Sequence, residues 1–290
     1  MAVNKADPKF LQDFLAHRFS LSRRTAKAMI DGRNVWVNRK CVWIARFALE
    51  TGDVVEVPSQ VVKGAVRQSA RTAPGAPVPA AARRHVRVLW SNDSYLVCDK
   101  PSGLVSCDDP KSVEAILREQ ESVPTLEAVH RLDRDTTGCL LFAKNHAAFE
   151  AAVEVFKTRR VSKVYHAIVA GQFKFAHQLI DTPLDGQPAV SRVTREAAGA
   201  DASFLRVRID TGRTNQIRRH LSSVRFPILG DRVFGLKSAR DPRLMQVPRQ
   251  MLHASTLELP DPMNPHAEIK AHSPLPADFR ATLRLFGMGK

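Results

Sequence analysis

The sequence predicts an α+β protein: a larger domain built on a mixed, largely antiparallel sheet with flanking helices, preceded by a small α/β domain. Three observations carry this. At 290 residues the chain is long enough for about two hydrophobic cores. Residues 59–85 carry Pro74, Pro77 and Pro79, five basic residues (Lys63, Arg67, Arg71, Arg83, Arg84) and no acidic one, with no sustained apolar period. They read as a linker between domains at 1–58 and 86–290. Beyond the linker, short apolar strands mix with helices without the regular beat of a doubly wound fold. No G-x-G-x-x-G follows a strand and no G-x-x-x-x-G-K is present, so nothing supports a nucleotide cofactor.

In the small domain, Phe10, Leu11, Phe14, Leu15 and Phe19 fall near one helical face. A second helix is capped by Ser22, turns Ala26, Met29 and Ile30 inward and stops at Gly32. The alternation in "NVWVNRK" and "GDVVEV" predicts two short strands. In the larger domain, "VRVLWSNDSYLVCDKPSGL" holds two strands and a turn at Lys100, Pro101 and Gly103. "GCLLFAKN" is a strand, and Asn145 caps a helix with Phe149, Ala152 and Phe156 on one face. "KVYHAIVAG" and "FLRVRID" alternate as strands, and Thr214 opens a helix with Ile217, Leu221 and Val224 inward.

Lys and Arg number 44 against 29 Asp and Glu, a formal net charge of +15. That balance points to a polyanionic partner, above all nucleic acid. The apolar runs are far short of the roughly 20 residues a spanning helix needs, and "MAVNKADPKF" lacks an apolar signal core. The expectation is a cytoplasmic protein without membrane contact. Cys41, Cys98, Cys107 and Cys139 form no C-x-x-C pair and read as small buried or neutral residues.

The charges of "VHRLDRDTTGC" (129–139) lie between apolar flanks. They could be a self-paired turn. They could be a metal site from His130, Asp133 and Asp135, but Arg131 and Arg134 between those ligands would repel a cation. A protein-kinase loop fails, because the order is H-R-L-D and Gly stands at position 138. The fourth reading is a lone carboxylate: Asp133, kept ionised between two arginines and able to act on an electron-poor sugar carbon. Asp135 is its rival, since residues two apart in an extended segment point the same way.

Here a resemblance sets in. "AVHRLDRDTTGCLLFAKN" (128–145) is similar to the central motif of the RluA-type pseudouridine synthases, H-R-L-D-x-x-T-[ST]-G-x-x-x-x-A-K. "DKPSGL" (99–104), "SKVYHAIVAG" (162–171), "TGRTNQIRRHL…PILGD" (211–231) and "MLHASTLELPDP" (251–262) resemble further family segments in order. Residues 8–58, with "LSRRTAKAMIDGRNVWVN", resemble the RNA-binding module named after the fourth protein of the small ribosomal subunit.

The resemblance implies isomerisation of uridine in RNA to pseudouridine, without cofactor or metal, on a base drawn out of its stack. It implies that Asp133 is the catalytic carboxylate, as nucleophile or as base and charge stabiliser. Tyr165 would stack on the flipped base and assist proton removal from carbon five, and Arg218 would pair with the carboxylate. Arg23, Arg24, Lys27, Arg39 and Lys40 of the small domain, with Lys100, Arg131, Arg134 and Arg213, are the expected RNA contacts, Lys100 and Arg131 either shaping the site or holding phosphate. Ribosomal RNA of the large subunit is the expected partner, transfer RNA the alternative, and a monomer suffices. A non-catalytic ribosome-assembly factor is the competing reading. Three positions depart from the motifs: Asn215 and Phe226 stand where histidine is usual, and Arg219 adds a second charge beside Arg218.

Overall fold

The computed structural model describes residues 2–4, 7–19, 21, 23–31, 34–42, 47–59, 61–62, 85–158 and 160–289. Two compact units, Met1–Arg83 and Arg84–Lys290, make up the chain. Most of the predicted linker, and with it the basic residues and prolines at 63–84, lies outside the described residues, as do Ser22 and Gly32, the expected cap and stop.

The first unit packs α1 (Leu11–Arg18) and α2 (Arg23–Asp31) on a small antiparallel sheet of β1 (Trp36–Val37), β2 (Lys40–Cys41) and β3 (Val55–Glu56), in the order β2-β1-β3. Leu11, Phe14, Leu15, Ala26, Met29, Ile30, Val35, Val37 and Val55 form its core. Phe10 departs from the expected inward face: it sits at the helix N-cap and is exposed. The third strand arises because Asn38 and Arg39 both take positive φ (49° and 63°). That is the two-residue turn whose twist suits a tight hairpin, and asparagine tolerates it.

The second unit holds a ten-stranded sheet. Its strands are β4 (Arg87–Ser91), β5 (Tyr95–Lys100), β6 (Glu127–Ala128), β7 (Thr137–Ala143), β8 (Ser162–Ala170), β9 (His177–Ile180), β10 (Ser191–Ala198), β11 (Ala202–Ile209), β12 (Leu252–Pro260) and β13 (Glu268–His272). The order is β4-β5-β7-β12-β8-β11-β10-β9, with β13 on β12 and β6 on β7. Every pairing is antiparallel except β7 with β12, so the sheet is mixed and largely antiparallel, as expected. The flanking helices are α3 (Val113–Gln120), α4 (His146–Lys157), α5 (Gln216–Ser223) and α6 (Ala277–Leu285).

β5 and β7 show why continuous apolar runs mark the centre of this sheet. Leu96, Cys98, Leu140 and Phe142 face one core with α3, α5 and α6. Tyr95, Val97, Cys139, Leu141 and Ala143 face a second core under α4. With helices on both faces, a strand cannot alternate with polar residues. Burial pushes the Cys98 thiol well up and that of Cys139 to about 12, so both are neutral packing groups. Among the described residues no helix is long and apolar enough to cross a membrane.

Candidate active site

The charged stretch follows β6 and enters β7, and its backbone is anchored residue by residue. Ser106 Oγ donates to the Leu132 carbonyl and accepts the Leu132 amide, each at 3.0 Å. The Thr136 amide donates to the Asp133 carbonyl at 3.1 Å. The Gly103 amide and Lys100 Nζ donate to the Arg134 carbonyl at 3.0 and 2.8 Å. Arg249 Nη1 donates to the Asp135 carbonyl at 3.2 Å, and Lys100 Nζ to that of Thr136 at 2.9 Å. Five successive carbonyls are thus held. At about 1 kcal/mol net for each such bond, the loop is fixed by several kcal/mol.

The Asp133–Thr136 turn also separates the two rival carboxylates. They do not share the side of an extended segment. Asp133 is one-third exposed and lines a cleft of about 1050 Å³ together with Arg131, Tyr165 and Arg218. Asp135 is not among the residues lining it.

Lys100 corrects one expectation. Counted among the RNA contacts from the sequence, it is fully buried, and Nζ donates to the carbonyls of Pro101, Arg134 and Thr136. An ammonium has three donors, so none remains for a phosphate. Burial draws its pKa down to about 8, partly offset by the nearby charges of Asp135 and Asp133. Its place is inside the loop. Gly138, the second residue of β7, is equally constrained: φ is +109° and a Cβ there would lie 2.1 Å from the Ala254 carbonyl oxygen. Only glycine lets β7 and β12 meet in parallel register beside the loop.

Arg218 comes from α5 and is buried. Its Nε and Nη2 donate to Asp231 Oδ2 and Oδ1 at 2.6 and 2.9 Å. Nη1 donates to Asp133 Oδ2 at 2.9 Å and to Asn215 Oδ1 at 2.7 Å. The guanidinium also lies 5.1 Å from the Phe234 ring centroid. Burial opposes the Asp231 charge, yet the Arg218 hydrogen bonds and the amides of Phe234 and Val233 hold its carboxyl below the usual range. Asp231 therefore aims the arginine, and the arginine aims Asp133.

Asn215, one of the departures from the motif, takes part in this array. It sits before α5 in the left-handed region, φ 54°, a conformation asparagine accepts more readily than most residues. The helix accordingly starts at Gln216, not at Thr214. Gln216 Oε1 accepts from Thr211 Oγ1 and the Arg213 amide at 2.7 and 3.0 Å, drawing the preceding loop over the helix end. Phe226 packs edge-on to Phe173, centroids 4.9 Å apart, and Arg219 pairs with Asp185 at the surface at 2.8 and 3.0 Å.

Tyr165, on β8, is buried and lines a chamber of about 90 Å³ with Asp133, Ile209, Ile217, Arg218 and Leu252. Burial, then the Asp133 charge, pushes its phenol far up, so the ring presents a neutral hydroxyl. His130 accepts the Leu141 amide through Nε2 at 3.2 Å and stacks on Phe156 at 5.3 Å. Burial and the charge of Lys163 hold it down to about 3. It is a neutral brace between the loop and β7.

Arg131, Arg134 and Arg213 are exposed and line the cleft; Arg213 Nε donates to the Pro188 carbonyl at 3.1 Å. In the first unit Lys27, Arg39 and Lys40 are exposed, the last two at the hairpin tip. Arg23 and Arg24 begin α2, but their side chains lie outside the described residues. Sequence reasoning did not single out Ser106, Asp231 or Arg249 as parts of this site. Asp231 stood in the "PILGD" segment; Arg249, which Asp278 holds at 2.6 and 3.0 Å, carried no local signal.

Residues 94–223 match the RNA pseudouridylate synthase family model, and residues 11–55 match the S4 domain. The chain is 34% identical over 233 residues to the ribosomal large subunit pseudouridine synthase D of Pseudomonas aeruginosa, covering 69% of this chain and 71% of that one. It is 30% identical over 271 residues to ribosomal large subunit pseudouridine synthase C of Vibrio cholerae, covering 86% and 84%. Human RNA pseudouridylate synthase domain containing 1 shares the fold at a TM-score of 0.60 and 23% identity, covering 72% of this chain and 90% of that one. With its S4 domain, the chain belongs to the RluA-type family of RNA pseudouridine synthases and is an enzyme acting on RNA.

Proposed function

We propose that this enzyme isomerises one or more uridines of large-subunit ribosomal RNA, with Asp133 as catalytic carboxylate, Tyr165 facing the base and Arg218 fixing the carboxylate. One observation carries the assignment: Asp133 Oδ2 is 2.9 Å from the buried Arg218, on the wall of a chamber it shares with Tyr165. The ribosomal target is supported by the similarity to large-subunit synthases of types D and C.

In the reaction the bond from uracil N1 to C1′ breaks, the base turns, and C5 bonds to C1′. The C5 proton leaves and N1 gains one, so neither mass nor electrons change. Asp133, as nucleophile or base, meets the sugar as positive charge develops there. Arg218 keeps the carboxylate aimed through its hydrogen bond without itself titrating. Tyr165, neutral, stacks on the extruded uracil, leaving its hydroxyl close to the departing proton. Neither metal nor cofactor enters this scheme.

The proposed division of labour is docking by residues 1–58, tethering by 59–85 and catalysis by 86–290. Arg23, Arg24, Lys27, Arg39 and Lys40 would meet phosphates of structured RNA, and Arg131, Arg134 and Arg213 those beside the cleft. The enzyme would work as a cytoplasmic monomer. Mapping pseudouridine in ribosomal and transfer RNA from cells with and without the gene tests the target. Sites missing from large-subunit RNA alone are expected. Loss confined to transfer RNA would overturn the target, and no loss anywhere would favour an assembly factor.

A further inference from the structure

Lys163 stands two residues before Tyr165 on β8, so both side chains leave the same face of the strand. It lines the wide cleft but not the small chamber around Tyr165. Nζ lies 5.7 Å from the centroid of the Phe156 ring. It also reaches the bare backbone of Gly212, 3.6 Å from where a side chain there would begin. The side chain is half-buried, and burial draws its pKa below the ordinary range, offset only in part by Asp210. Asp210 is itself held by Arg192 at 3.1 Å. Among the described residues Lys163 has no hydrogen bond or ion pair through Nζ.

An ammonium withdrawn from water with its nearest carboxylate engaged elsewhere suits an incoming anion. The absent side chain at Gly212 leaves room for one against the Asp210–Arg213 loop. The exposed Arg131 and Arg213 line the same cleft, so its polar walls favour a negatively charged strand. We propose that Lys163 binds a phosphodiester of the RNA strand beside the nucleotide drawn toward Tyr165. This rests on the reading that the cleft takes RNA. The competing role is purely structural, with Lys163 bracing Phe156, which stacks on His130.

The test is the salt dependence of affinity for an unmodified large-subunit ribosomal RNA transcript, using the full-length protein. Lys163→Met should weaken binding about fivefold to tenfold and reduce the slope of log Kd against log salt by roughly 0.7, one single-strand phosphate contact. Lys163→Arg should keep the slope, and Lys163→Gln should repeat the loss if the methionine variant fails to fold. Lys270→Met, on β13, should change nothing. A wild-type slope in Lys163→Met and Lys163→Gln would overturn the proposal, above all with a lowered Tm, the mark of a brace for Phe156. A wild-type protein that binds the transcript but isomerises no uridine would sink the functional reading, while the phosphate contact would still be read from the slopes.

Discussion

The basic residues of the catalytic unit and those of the S4 domain differ in what they face. Around Asp133, Lys100, Arg218 and Arg249 are buried, and their donors meet fixed carbonyls and carboxylates. In the S4 domain, Lys27, Arg39 and Lys40 are exposed. The first set acts through geometry, where a lost partner strands a buried charge. The second, on the proposed function, would act through field, which salt screens. Net charge alone does not distinguish them: the +15 of the chain sums cations that can meet RNA and cations that cannot.

Substitutions separate the two regions by the size and kind of their effects. Asp133→Asn should lower single-turnover isomerisation by at least about 10³-fold, with RNA affinity within about twofold in a filter-binding assay. Arg218→Lys keeps the charge but loses the fork that joins Asp231, Asn215 and Asp133; kcat should fall about 10²-fold with little change in KM. Arg218→Met would leave the Asp231 carboxylate buried without its partner and should cost about 3–5 kcal/mol in urea unfolding. Asn215→Asp places a second carboxylate on the same Nη1. It should lower kcat about tenfold, because two carboxylates then compete for one donor.

The exposed set should behave otherwise. Replacing Lys27, Arg39 and Lys40 together with glutamine should leave kcat at saturating RNA unchanged. It should reduce the slope of log Kd against log salt by roughly 2, at about 0.7 per contact. An unchanged slope would erase the contrast. The smallest effect concerns Asp231. Its folded pKa lies below the ordinary 3.8, so the stability it contributes is present above that value and is lost as pH falls through the folded pKa. Urea midpoints from pH 5 to pH 2 should therefore fall more steeply for wild type than for Asp231→Asn.

Much of the fold was legible, for stated reasons. The runs "YLVCDK" and "GCLLFA" are buried on both faces, so their strands show in apolar content alone. β10 is harder: in "SRVTREAA" Ser191 and Val193 are buried while Arg192, Arg195 and Glu196 are exposed, leaving too weak an apolar signal. α3 buries Glu114, which accepts the Ala128 amide and pairs with Arg118, and a buried carboxylate breaks the helical apolar period. At the site, motif resemblance singled out Asp133, Tyr165 and Arg218. Spacing alone could not separate Asp133 from Asp135; only the motif match did, because the separation depends on a turn closed by one backbone hydrogen bond. Nor could it show Lys100 as buried, since its three acceptors are carbonyls that no sequence pattern displays.

The central claim is that Asp133, and not Asp135, meets the sugar. Tritium release from large-subunit ribosomal RNA carrying uridine labelled at carbon five, compared for wild type, Asp133→Asn and Asp135→Asn, tests it most directly. Release by wild type and Asp135→Asn, with none from Asp133→Asn, is the predicted result. Release that survives in Asp133→Asn, or vanishes only in Asp135→Asn, would contradict the account.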